Sequence, residues 1–278
     1  MHIRKLVIAA LIPAALATTS CRKDEASGPT TTNEAKQAVE EAAISGEAES
    51  VTSGSIEVAT EFTIGQAVEN AAQEISTFVT QQLPCAEVTL SGATLSIAYG
   101  AKPGNCIYRG HSYKGTHAIT ITKNDMNQVV VDHVWTKLSN GAVEVTGTAQ
   151  VTWSLADKTR HVVHELDWKR LADGKTGKGS GDRTQAPLDS GLDQGIRVDG
   201  MREWQTAAGE WDLAIEGVEM RWSDPVPQAG TYRLATPKGR SYELSFERVD
   251  ADTIKVTAKS GTSTFSFDVS RGGDVSGG

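Results

Sequence analysis

The sequence predicts a mainly β protein: one large antiparallel meander sheet, curled or sandwich-like, with a single N-terminal amphipathic helix. Three observations carry this. Beyond Pro84 the apolar residues recur at every second position, the period of a strand with one buried face. The alternating stretches are joined by short turn signals, with no helical spacer long enough for a parallel crossover. Only one segment, upstream of all of them, carries a clear helical period.

The chain opens as an export signal. Arg4 and Lys5 supply the positive end and Leu6 to Ala17 the apolar stretch. Twelve apolar residues fall short of the roughly 20 that a membrane-spanning helix requires, and Pro13 interrupts them. Two processing readings follow. Ala15-Leu16-Ala17 suits ordinary signal peptidase and a soluble secreted chain starting near Thr18. Cleavage before Cys21, with a lipid on its sulfur, makes a lipoprotein. The sequence holds three cysteines, and if Cys85 and Cys106 pair, Cys21 is left needing a use. That favours lipidation at Cys21, although Thr18-Thr19-Ser20 is a degenerate approach to it. Arg22 follows the cysteine rather than Asp, which makes the outer membrane the default destination. Residues 1–20 are thus read as a signal peptide.

Residues 21–60 are rich in Ser, Thr, Glu, Ala and Gly and contain no aromatic residue. Such a composition offers little apolar surface to bury, and the segment is expected to be a flexible tether, at most fleetingly helical in Asn33 to Ala43. The folded domain is then 61–278. Its helix is expected over Thr63 to Pro84, where Ile64, Val68, Ala71, Ala72, Ile75, Val79 and Leu83 form one stripe, Thr63 caps and Pro84 terminates. Downstream, Tyr242, Leu244 and Phe246 share a face, as do Ile254, Val256 and Ala258, and Phe265, Phe267 and Val269. Trp211, Leu213 and Ile215 precede Gly217, and Val218, Met220 and Trp222 follow it. Residues 143–168 and 196–222 each place a Gly in a two-strand opening and a Trp at the close, the pattern of a duplicated unit.

Residues Ala93 to Trp153 carry Tyr99-Gly100, Cys106, Arg109-Gly110, Lys114-Gly115, and Asn140-Gly141 leading to Val145, Gly147 and Thr148. In this pattern the chain resembles uncharacterised bacterial β-rich lipoproteins of the Bacteroidetes and myxobacterial type. The resemblance covers about a fifth of the chain. It implies a lipoprotein and a β-sheet, and no activity or site.

Several segments invite chemistry and are better explained otherwise. Cys85 and Cys106 enclose 20 residues, and in an oxidising compartment they are expected to form a disulfide. A loop of this size contributes roughly 3 kcal/mol in the chain-entropy account. Arg160 to Leu166 holds His161 and His164, but on a strand their three-residue spacing sends them to opposite faces. His164 shares its face with Val162, Leu166 and Trp168, and His133 with Val129, Val131 and Trp135. Both are read as sheet histidines rather than as metal ligands. Asp173 to Arg183 looks like a phosphate loop without the following helix and is expected to be a long polar hairpin loop. The six tryptophans, all in the β region, suit a core or a groove for an apolar ligand or glycan.

With 35 acidic and 27 basic residues the formal net charge is -8, which argues against nucleic acid or an anionic lipid surface as partner. No cofactor, metal site or catalytic residue is expected. The functional expectation is an exported, lipid-anchored envelope protein with a structural or interaction role. Its partners would be the membrane, through Cys21, and an envelope protein. The alternative is a carrier of a hydrophobic ligand or glycan in a tryptophan-lined groove.

Overall fold

The computed structural model describes residues 28–60, 68–124, 128–154 and 158–278. The expected signal peptide and Cys21 lie outside them. A long helix, α1 (Thr32–Thr60), comes first, followed by α2 (Val68–Gln82). Then come β1 (Glu87–Ser91), β2 (Thr94–Tyr99), β3 (Ile107–Tyr108), β4 (His111–Ser112), β5 (Lys114–Lys123) and β6 (Val129–Ser139). Next are β7 (Val143–Ser154), β8 (Thr159–Arg170), β9 (Thr176–Pro187), β10 (Ile196–Thr206) and β11 (Gly209–Met220). The chain closes with β12 (Ala229–Ala235), β13 (Ser241–Arg248), β14 (Thr253–Ser260), β15 (Ser263–Ser270) and β16 (Val275–Gly277). Apart from the small β3–β4 hairpin, all strands form one 14-stranded antiparallel sheet in simple sequential order, with β1 and β16 at its open edges.

The expected tether is the largest correction. Residues 32–60 are helical, and from Glu41 to Val58 every residue except Glu47 is buried. The helix touches β6 and β7 and also β13 to β16, elements from distant parts of the sheet order, so the sheet curls around it. Among the described residues there are therefore two α-helices where one was expected. At about 1.5 Å per residue, α1 runs roughly 43 Å. Its start is fixed by a reciprocal cap: Glu34 N–H donates to Thr31 Oγ1 (3.3 Å) and Thr31 N–H to Glu34 Oε2 (3.1 Å). Its second half holds Ser, Thr, Gly and Val, poor helix formers in isolation. Thr52 Oγ1 donates to the Ala48 carbonyl (3.0 Å) and Ser55 Oγ to that of Thr52 (2.8 Å), which satisfies buried hydroxyls. Small side chains leave room for the wrapping strands: a Cβ on Gly54 would lie 2.6 Å from the Tyr113 hydroxyl.

The second helix matches its expected stripe, with Ala71, Ala72, Ile75, Val79 and Leu83 all buried; Thr63 and Ile64 fall outside the described residues. The strand readings also hold. Tyr242 and Leu244, Ile254, Val256 and Ala258, and Phe267 and Val269 face inward on β13, β14 and β15. Gly217 does not separate two strands; it is a bulge inside β11, where the pairing with β12 shifts register. The presumed long loop is another correction. Only residues 171–175 turn, and from Thr176 the chain is strand β9. Its inward positions 177, 179 and 181 are glycines because Trp168, Trp204 and His164 from the flanking strands fill that space. The two units with the repeat pattern are the β7–β8 and β10–β11 hairpins, with Trp168 and Trp222 both buried.

Candidate functional site

The inner surface of the sheet meets a helix that is polar as well as apolar, and charged pairs cross between them. Glu49 on α1 pairs with Arg183 on β9, and His164 Nε2–H donates to Glu49 Oε1 (2.7 Å). Arg183 Nη2 donates to the other ring nitrogen of His164 (3.3 Å), so a neutral imidazole completes the triad. Farther along α1, Arg160 Nη1 donates to Glu57 Oε2 (2.7 Å) and its Nε to Gln185 Oε1 (2.6 Å). Arg202 Nη2 donates to the Ala42 carbonyl (3.2 Å), its guanidinium lying over the rings of Trp204 and Tyr232. All these side chains are almost fully buried.

Histidines form two further groups. His117 and His133 contact through Nε2 and Nδ1 (2.8 Å), with Tyr99 Oη on the far nitrogen of His117 (3.3 Å) and Trp135 stacked on both rings. Trp135 Nε1–H donates to Ser55 Oγ on α1 (2.9 Å). Burial pushes His117 down to about 3; it also pushes His133 well below the ordinary value, with the neighbouring His117 ring adding in the same direction. His111 Nε2 lies 3.0 Å from Ser50 Oγ, which resembles a nucleophile–base pair. Both groups, however, donate to the carbonyl of Trp222, at 2.7 and 2.5 Å. With its Nε2 proton committed there, the imidazole is no base toward Ser50. Asn140 Nδ2 donates to His111 Nδ1 (3.2 Å) and to Glu47 Oε1 (2.5 Å), which ties the loop and strand ends to α1. Burial lowers His111 to about 4 and raises Glu47 to about 7.

His161 and His164 do point to opposite faces: His161 is exposed and pairs with Asp182 (2.6 Å), while His164 is buried. His133 and His164 lie in one row with Ala149 between them, each engaged by different partners. Among the described residues no group of three His, Cys, Asp or Glu is placed to hold a metal ion. Trp135, Trp168, Trp204, Trp211 and Trp222 are buried on the inner side of the sheet. Inside the curl α1 fills the space beside these tryptophans, and between α1 and β8 to β10 only about 10 Å³ remains, whereas Trp204 and Trp211 also border a cavity of about 570 Å³ with Glu165, Asp167, Lys178 and Glu203.

Cys85 and Cys106 form the expected disulfide, with Cα atoms 5.4 Å apart. It joins the chain leaving α2 to the chain entering β3, where Phe78 and Tyr108 pack edge to face (6.0 Å). Beside it, at the end of the curl remote from Gly28, lies a cavity of about 570 Å³ between α2, the β3–β4 turn and the chain leaving β11 and β15. At the opposite end Arg240 holds the incoming chain by donating to the Gly28 carbonyl (3.0 Å) and Thr30 Oγ1 (3.3 Å), and Thr30 reaches Ser260 (3.2 Å). Sequence reasoning missed the interior charges and both chain ends. The inward parity of Arg160, Arg183 and Arg202 was the available signal that something polar fills the sheet. Among the described residues no helix is long and apolar enough to cross a membrane. Comparison with protein families, curated proteins and solved structures returned no match.

Proposed function

We propose that this is an exported envelope protein, held to a membrane by a lipid on Cys21, whose domain serves a structural or interaction role. The observation that supports it is the filled interior: the chain's own helix occupies the place where a carrier of this shape would keep its cargo. A second feature agrees. Cys21 precedes Gly28 by seven residues, at most about 25 Å of extended chain. Gly28 is fastened to the β12–β13 turn, so a lipid on Cys21 holds that end of the curl against the bilayer and presents the opposite end outward. A long tether would impose no such orientation.

The test is metabolic labelling of the full chain in a Gram-negative host with a palmitate analogue, comparing it with Cys21→Ser, followed by intact mass. Label that depends on Cys21 is the expected result. An unlabelled product starting near Thr18 refutes the anchor and leaves a soluble secreted protein.

A further inference from the structure

The cavity at the end of the curl remote from Gly28 is unusual in its charge. The chain carries more acidic than basic residues, yet three arginines line this cavity: Arg109 from the β3–β4 turn, Arg221 after β11 and Arg271 after β15. One lining carboxylate, Asp193, answers them, and Arg109 Nη1 takes it at 2.7 Å. Arg271 Nη2 donates to Ser223 Oγ (2.7 Å), and its Nη1 lies 3.8 Å from Asp252, outside the lining. The Arg221 guanidinium is in no ion pair or hydrogen bond among the described residues; it acts on the Asp224 carboxylate only through space, and that carboxylate is bound to Arg248. Guanidinium groups from three separate connections thus converge on one concave surface, with Arg221 exposed and able to take an anion.

The backbone shows that the arrangement is maintained against a cost. Arg109 (φ 49°) and Gly110 (φ 83°) are the two central residues of a two-residue hairpin, where Asn-Gly is the usual choice. A left-handed conformation is unfavourable for arginine and persists where its surroundings hold it. Here its guanidinium lies over the rings of Tyr108 (5.4 Å) and Trp222 (5.8 Å). Gly110 lets the turn close on its neighbours, since a Cβ there would sit 2.6 Å from that of Ser223 and 3.1 Å from Arg271 Nη2. The Cys85–Cys106 disulfide holds α2 and this hairpin together, so the wall formed by Phe78 and Tyr108 is preformed.

We propose that this cavity binds a small organic anion. Arg221 and Arg271 take its phosphate or carboxylate oxygens, and Phe78 and Tyr108 receive its apolar or ring portion. The volume lies within the range of small-molecule sites, roughly 300–1,000 Å³. The assignment stands apart from the lipid anchor, because the cavity is built wholly from the folded domain.

The test is isothermal titration of the mature chain carrying Cys21→Ser, to keep it in solution, with phenyl phosphate, benzoate, inorganic phosphate and phenol. Phenyl phosphate or benzoate is expected to bind at a single site, more tightly than inorganic phosphate, with phenol silent. The preferred anion tells phosphate from carboxylate ligands. Arg221→Gln, which touches no structural bond, is expected to weaken binding about tenfold, the effect of losing one charge-assisted contact. Failure of phenyl phosphate and benzoate to bind at about 10 mM, a millimolar-scale floor for a specific site, overturns the proposal. So does binding that Arg221→Gln and Arg221→Gln/Arg271→Gln leave unchanged while circular dichroism shows both variants folded.

Discussion

Acidification is expected to destabilise this protein at pH values that most domains tolerate. His111 and His117 are buried as neutral rings and make no ion pair with a carboxylate. Burial holds them at about 4 and about 3, against an ordinary value of 6.5. In the unfolded chain both take up a proton as the pH falls through 6.5, whereas the folded chain refuses it. Their contribution to stability is therefore complete above pH 6.5 and is lost as the pH falls toward the folded values. At about 1.4 kcal/mol per unit the two together are worth on the order of 8 kcal/mol, comparable with the whole stability of a domain. His133, against His117, adds in the same direction. Glu47 acts oppositely. Raised to about 7 by burial, it stabilises fully below its unfolded value and loses that contribution as the pH rises to 7. By pH 4 the two histidines have given up about 6 kcal/mol of their contribution and Glu47 has regained about 3 kcal/mol, which leaves a net loss of roughly 3 kcal/mol between pH 7 and pH 4. Urea titrations at pH 7.5, 6.5, 5.5 and 4.5, followed by tryptophan fluorescence, read this as a falling midpoint at constant slope. A midpoint that stays level from pH 7 to pH 5, or an NMR titration of His117 near 6.5 in the folded protein, refutes the reasoning.

Two further predictions probe the helix–sheet interface. Glu49→Leu strands the Arg183 charge inside the sheet and is expected to destabilise by about 3–5 kcal/mol. Glu49→Leu with Arg183→Met should recover most of that loss, and urea unfolding of the double-mutant cycle reads both values; a single variant as stable as the parent contradicts the buried triad. Gly54→Ala is favoured by helix propensity by up to about 1 kcal/mol, yet the added methyl meets the Tyr113 hydroxyl. It should therefore lower Tm by several degrees, at about 2–4 °C per kcal/mol for a domain of this size. A raised Tm would mean that α1 is not enclosed at that point.

The sheet was legible in the sequence because its signal is local. Alternation at Tyr242, Leu244 and Ile254, Val256, Ala258 reports one buried face whatever lies beneath it. The helix α1 was illegible for the opposite reason. Its Ser, Thr, Gly and Glu residues read as unable to bury apolar surface, and they are buried because strands from all along the chain enclose them. The Thr31-x-x-Glu34 cap, followed by Ala35, Ala38 and Ala42, was the local hint. The cavity arginines escaped notice because Arg109, Arg221 and Arg271 meet only once the sheet has curled.

The place of α1 ahead of the whole sheet in the chain bears on how the protein acquires its structure. The element at the centre is synthesised first, yet its cap region is fastened by Arg240 and Ser260, more than 200 residues later. Contacts so distant in sequence close slowly. Until β13 to β16 arrive, the inward tryptophans, arginines and histidines of the earlier strands have no complete enclosure. Loss of the last two hairpins would not trim an edge; it would leave the first helix without its wall, and the chain exposed to proteases and holding chaperones for as long as it waits.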